Sequence, residues 1–261
     1  MSSCLTISSW ALEYATDGPP EVFEYFAKQK TIVMKLVELL DHPTVAVQTP
    51  IVRTLGNVLT GDEEQTEVII SCGILPCFTK LFEHPKSGMR KEVMWALSNI
   101  TAGRLQIQAV IDAEIFPKLF IMLSPARNEV VEVKKEMYFV IANALTGAYD
   151  HQMKYLIDQG VIQQLCGGLL EIDPTVLTVL LDGLESILKY GEQTNTLEEI
   201  CNMIENCGGT GRLEALQHHN NEAIYQKVVH LLENYWNCSE VSQQQTVFEF
   251  GPVSKNTTWS W

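Results

Sequence analysis

Apolar positions along the chain recur at the three- and four-residue spacing of a single helical face. The pattern is plainest from Ile74 to Phe82, where Leu75, Phe78, Leu81 and Phe82 share one side. Ahead of it, Glu63 to Ser71 reads as a short helix that stops near Gly73. Behind it, Pro85 and Gly88 break the chain. A longer helix then runs through Glu92, Trp95, Ser98 and Asn99 to Ala102, with Gly103 read as the C′ residue that closes it. The same order of short, short and long recurs at Met153 to Gly160, then Val161 to Leu170, then the helix that follows Asp173-Pro174.

The pattern is periodic. Helix ends are marked at Asp17-Gly18, Thr60-Gly61, Ala102-Gly103, Thr146-Gly147 and Tyr190-Gly191, and the glycines lie 43, 42, 44 and 44 residues apart. That period belongs to armadillo and HEAT units, and three helices per unit favour armadillo over the two-helix HEAT repeat. The expected fold is all-α, a right-handed armadillo-repeat solenoid of about five three-helix repeats. The units are 19–61, 62–103, 104–147, 148–191 and 192–236, preceded by residues 1–18 as the remnant of an earlier repeat. Residues 237–261 carry no amphipathic period and are rich in Ser, Gln and Thr, so they are expected to be a disordered tail. A solenoid needs polar caps, and the N-terminal end here is expected to bare apolar surface (Trp10, Val22, Phe23, Phe26) on which a preceding unit stacks.

Composition narrows the ligand. Apolar residues make up 46% of the 261 and charged residues 19%, with a formal charge of −14. Such a surface repels nucleic acid and anionic membranes and attracts basic ligands. The seven cysteines are scattered, unpaired in spacing and mostly within apolar runs, as expected of reduced thiols in an intracellular protein. No segment has the roughly 18 apolar residues of a membrane span, and Met1 to Ser9 contain no Lys or Arg, so the basic start of a secretory signal is missing. The six histidines form no nucleophile or metal spacing, and no phosphate loop is present. Neither an enzyme nor a bound cofactor or metal is expected.

Candidate chemistry lies on the long helices. Trp95 and Asn99 stand four apart, one turn above the other on one face. The same position carries Trp10 and Tyr14, then Arg53 and Asn57, Phe139 and Asn143, and finally Asp182 and Ser186. Asn57, Asn99 and Asn143 therefore recur once per unit. With neighbouring helices about 8–10 Å apart and an extended peptide advancing about 3.3 Å per residue, each carboxamide meets about every third residue of a linear ligand. Glu92 and Glu136 precede Trp95 and Phe139 by one turn, placed to meet a Lys or Arg whose stem lies on the rings.

These motifs resemble the importin-alpha family. The residues that carry the likeness are Trp10-Ala11-Leu12-Glu13-Tyr14 with Asp17-Gly18-Pro19, and Thr49 to Asn57. Trp95 to Gly103 add to it, as do Cys207-Gly208-Gly209 and Leu213 to Gln217. The resemblance covers roughly residues 8–236 and implies the family's C-terminal armadillo half, from within its fifth repeat through its tenth. It implies a nuclear import adaptor whose minor binding site for basic nuclear localisation signals falls on Asn57, Glu92, Trp95, Asn99, Glu136, Phe139 and Asn143. Arg53 and Ser98 belong to the same face, and Thr60, Gly61 and Thr66 match weaker contributors. It implies residence in cytoplasm and nucleus, and contact through residues 192–236 with the export receptor of the importin-beta superfamily. The family's basic importin-beta-binding segment is absent, so importin-beta binding is not expected. Phe139 stands where the family usually has Trp, and Phe offers a cation a weaker face. The alternatives are an armadillo scaffold in signalling or adhesion, or a short product that sequesters cargo or exporter.

Overall fold

The computed structural model describes residues 2–18 and 20–236; the tail expected at 237–261 lies outside the described residues. Among those described, the chain is helical, with no strand. A first helix, α1 (Ser2–Thr16), is followed by five triplets. They are α2 (Pro20–Lys28), α3 (Lys30–Leu39) and α4 (Val45–Val58), then α5 (Glu63–Ser71), α6 (Ile74–Leu81) and α7 (Ser87–Ala102). Next come α8 (Ile107–Asp112), α9 (Ile115–Leu123) and α10 (Val131–Gly147), then α11 (Asp150–Asp158), α12 (Val161–Gly168) and α13 (Pro174–Thr194). The last triplet is α14 (Leu197–Asn206), α15 (Gly209–Leu216) and α16 (Glu222–Tyr235).

The long helices stack side by side in the order α1, α4, α7, α10, α13 and α16. Their apolar stripes make this possible. On α4, Val47, Ile51, Leu55 and Val58 follow the three- and four-residue spacing and are all buried. Each such side chain contributes about 1.5–3 kcal/mol when taken from water. Side chains also fix the helix starts. Asp62 accepts the Gln65 N–H ahead of α5, and Asp173 accepts those of Thr175 and Val176 with Pro174 in the first turn of α13.

The periodic glycines do a different job from the one their spacing suggests. Gly103 is extended (φ −84°, ψ 120°) rather than left-handed, Gly147 lies inside α10, and α13 runs through Gly191 to Thr194, closed by Asn195 at φ 57°. The left-handed glycines are Gly73, Gly160 and Gly208, at the corner between the first and second helices of a unit; Glu114 takes that corner in 104–147. What the closing glycines provide is close approach. A Cβ on Gly61 falls 1.9 Å from Gln65 Oε1, and one on Gly103 falls 2.3 Å from Gln106 Oε1. On Gly191 it falls 3.0 Å from the Leu197 Cα. In each case the next unit turns in against the bare backbone.

At the N-terminal end Phe26 is buried in the core at 7% exposed, contrary to expectation, and Val22 and Phe23 are half-buried against it. The exposed large apolar side chains there are Ile7, Tyr14, Tyr25, Ile32 and Met34 instead.

At the other end charge ties α13 to α16. Lys227 binds Asp182 and reaches Glu185 at 2.7 Å, while Lys189 reaches Glu185 at 2.6 Å. Hydrogen bonds from Lys189 and then Lys227 hold the Glu185 carboxyl at about 2, below its ordinary 4.5. A depressed carboxylate contributes stability that is fully present above the ordinary value and is lost as pH falls through the folded one. In acid titrations followed by helicity, the advantage of the parent over Glu185→Gln is therefore expected to vanish between about pH 4.5 and pH 2. An advantage unchanged across that window would contradict it.

Candidate peptide groove

On α7, Trp95 is half-buried because α4 offers it a seat. A Cβ on Gly56 would lie 2.3 Å from the indole Cζ3 and 2.9 Å from Cε3, so the ring lies directly on the glycine backbone. One turn on, Asn99 donates from Nδ2 to the Gly56 carbonyl at 3.1 Å. A bond to the preceding long helix recurs on either side, to a hydroxyl in one case and a carbonyl in the other. Asn57 donates to Thr16 Oγ1 on α1 at 3.2 Å, and Asn143 donates to the Ser98 carbonyl on α7 at 3.0 Å. Each carboxamide thus spends one N–H on the preceding long helix, which fixes its orientation. Its Oδ1 and second N–H remain, the pair of groups that an extended peptide backbone requires.

The acids differ in state. Arg53 donates to Glu92 at 2.9 Å and stands 3.6 Å from Glu13, so the guanidinium already sits between two carboxylates. Glu136 has no hydrogen bond or ion pair among the described residues. Burial raises its pKa, the partial offset coming from Lys91 and Lys135. Glu13, Asp17, Arg53, Asn57, Lys91, Glu92, Trp95 and Glu136 line one cleft of about 300 Å³, with four carboxylates against two cations. Two other cations of the long helices are committed: Arg90 holds Glu129 through two hydrogen bonds at 2.6 and 2.7 Å, and Lys135 holds Asp173 at 2.7 Å.

A second hollow, about 450 Å³, is lined by Thr60, Gly61, Thr66, Asn99 and Gly103 among others. Thr60 is exposed and donates to the Asn57 carbonyl at 2.6 Å, whereas Thr66 is buried at 3% exposed. Ser98 departs from its expected role. It is 6% exposed, and its hydroxyl donates to the Trp95 carbonyl of its own helix, so only its backbone serves the groove, as acceptor for Asn143. Phe139 is half-buried on α10. Tyr14 is open at 72% exposed, its ring 6.3 Å from that of Trp10. At the far end the ladder stops, because Ser186 bonds back to the Asp182 carbonyl and Asp182 is taken by Lys227.

Sequence reasoning assigned no role to Gly56, Glu13, Asp17 or Lys91. Glu13 and Asp17 carried a signal, being acids on and just past the helix that opens the ladder. Gly56 was legible only as a glycine within a helix, next to Asn57. No cluster of His, Cys, Asp or Glu suited to a metal occurs among the described residues, and no helix among them is long and apolar enough to cross a membrane.

Residues 62–102 match the armadillo/beta-catenin-like repeat family, and residues 198–248 match the atypical Arm repeat family. A designed armadillo repeat protein in complex with the peptide (KR)4 superposes with a TM-score of 0.74 at 27% identity, covering 85% of this chain and 89% of that one. Computationally designed armadillo repeat proteins for modular peptide recognition superpose with a TM-score of 0.78 at 26% identity, covering 88% and 92%. Stacked triplets with a polar ladder along their long helices define an armadillo-repeat scaffold, a class of binding proteins rather than enzymes.

Importin subunit alpha-1b of Oryza sativa subsp. japonica is 42% identical over 239 residues, 89% of this chain and 44% of that protein. Importin subunit alpha-4 of Arabidopsis thaliana is 39% identical over 264 residues, 95% of this chain and 48% of that protein. The chain belongs to the importin-alpha family. It spans about half the length of the curated relatives it matches, corresponding to a C-terminal half.

Proposed function

We propose that this chain binds basic nuclear localisation signals as part of a nuclear import adaptor, moving between cytoplasm and nucleus. The single observation that carries the reading is the ladder of Asn57, Asn99 and Asn143. Each is anchored on the helix before it and keeps a donor and an acceptor for a ligand backbone. The side chains of the ligand are chosen by charge. Glu136 is half-buried and makes no ion pair or hydrogen bond among the described residues, and the rings of Trp95 and Phe139 on neighbouring helices receive the stem of a Lys or Arg. Family membership and the (KR)4 complex of a similar scaffold support the same ligand class. The acid-rich start of α14, with Glu198 and Glu199 beside a hollow of about 510 Å³, is the proposed contact for an export receptor.

The test is a titration with a labelled Lys-Arg peptide. Affinity is expected to fall as salt rises, because exposed charges are screened. It is also expected to fall with acid at a higher pH than an ordinary carboxylate would cause. Burial raises the Glu136 pKa, so this group takes up its proton early on the way down and loses its attraction for a cation. Glu136→Gln removes that early limb. Binding indifferent to salt and to both pH and Glu136→Gln would overturn the reading.

A further inference from the structure

Glu13 faces the cleft from α1, and its chemistry is incomplete. It is 8% exposed. Its Oε1 stands 3.6 Å from Arg53 Nη1, beyond hydrogen-bond length, and its Oε2 is shut off from water with no donor at all. Arg53 gives its close contact at 2.9 Å, from Nη2, to Glu92 and pairs through Nη1 with Oε1 of Glu13 only at 3.6 Å, so Oε2 receives nothing from it. A carboxylate oxygen stripped of water and left without a donor is costly unless something arrives to satisfy it. Asp17, one turn on and just past the end of α1, lines the same cleft and makes no side-chain hydrogen bond or ion pair among the described residues. The two cations of the cleft leave two of its four acids uncompensated, and Glu136 accounts for only one of them.

We propose that Glu13, together with Asp17, forms a second cation subsite in the groove, which takes a Lys or Arg of the same peptide that places another basic side chain at Glu136. This rests on the groove reading given above and specifies its ligand as a peptide with two separated basic positions. Arg53 stays between Glu13 and Glu92 and divides the two subsites. The terminal torsion of a glutamate is soft, so the carboxylate turns Oε2 toward an incoming ammonium without backbone movement. Long helices stand about 8–10 Å apart and an extended chain advances about 3.3 Å per residue. Glu13 on α1 and Glu136 on α10 stand three steps apart in the stack of long helices, so roughly seven to nine residues bridge the two subsites.

Two labelled peptides test this, one with a Lys-Arg pair alone and one with a further Lys about eight residues away, made in both directions. In one direction the parent chain is expected to bind the longer-spaced peptide about 5- to 10-fold tighter, the size of one added charge contact. Glu13→Gln is expected to erase that advantage while the single-pair peptide stays within about twofold, and Glu136→Gln is expected to weaken both. Asp17→Asn, at an exposed position where folding is not at issue, is expected to remove part of the advantage. Equal losses on both peptides with Glu13→Gln would mean that Glu13 only positions Arg53, and the subsite falls. A parent chain that binds both peptides alike also removes the subsite while leaving the groove. A parent chain that binds neither removes the groove reading and the subsite together.

Discussion

Trp95→Ala is expected to weaken a Lys-Arg peptide about 5- to 30-fold. The indole is half-buried on the Gly56 backbone and lines the acidic cleft, so a cation over its face is partly desolvated. A cation–π contact in that setting is worth about 1–2 kcal/mol, which converts to the stated range. Asn99→Ala is expected to cost a similar amount by a different route, since it leaves peptide backbone groups without partners. It also removes the donor to the Gly56 carbonyl at 3.1 Å. The two losses are not expected to add, because both side chains rest on the same glycine. Fluorescence anisotropy with the single and double variants decides the matter. If both single variants bind like the parent, the peptide does not lie in this groove.

Gly56→Ala is expected to cost about tenfold in peptide affinity while the melting temperature changes little. The new methyl would occupy the place of the indole Cζ3, now 2.3 Å from the ideal Cβ position, so the ring has to move. The ring is the far end of a side chain at the edge of the groove, and it swings outward more cheaply than two helices separate. Alanine also favours a helix over glycine by about 1 kcal/mol, which offsets the lost contact. The platform is then misplaced while the scaffold stands. Anisotropy and a thermal melt on the same sample separate the two effects. A variant that binds normally would show that the seat of Trp95 is unimportant, and one that melts far below the parent would show that Gly56 serves packing alone.

Much of the scaffold was legible without coordinates. The short-short-long order of helices and the 42- to 44-residue period require only that apolar side chains avoid water and that helices have 3.6 residues per turn. The ladder was legible for the same reason: one residue per unit at a fixed place on the long helix must recur at the spacing of the stacked units. The charge of −14 and the acids beside the rings pointed to a basic ligand.

Other features depended on contacts between residues some forty positions apart, which local patterns do not encode. The periodic glycines announced helix ends, yet their cause is the approach of Gln65, Gln106 and Leu197 from the following unit. Ser98 was grouped with the groove face, but it stands one position from Asn99, a shift that turns a side chain on a helix by about 100°, and here it turns into the core. Glu92 and Glu136 are equivalent in sequence and unequal in the fold. Arg53, 39 residues before Glu92, reaches across to pair with it, while no described side chain pairs with Glu136 and Lys91 and Lys135 act on it only from a distance. The sequence by itself determined the repeat, the helices and the chemical character of the ligand, because those follow from periodicity and composition. Which acid is left open for a cation, and which backbone lies bare beneath the indole, were decided only when the units stacked, because ion pairing and close approach depend on distances across the interface between them.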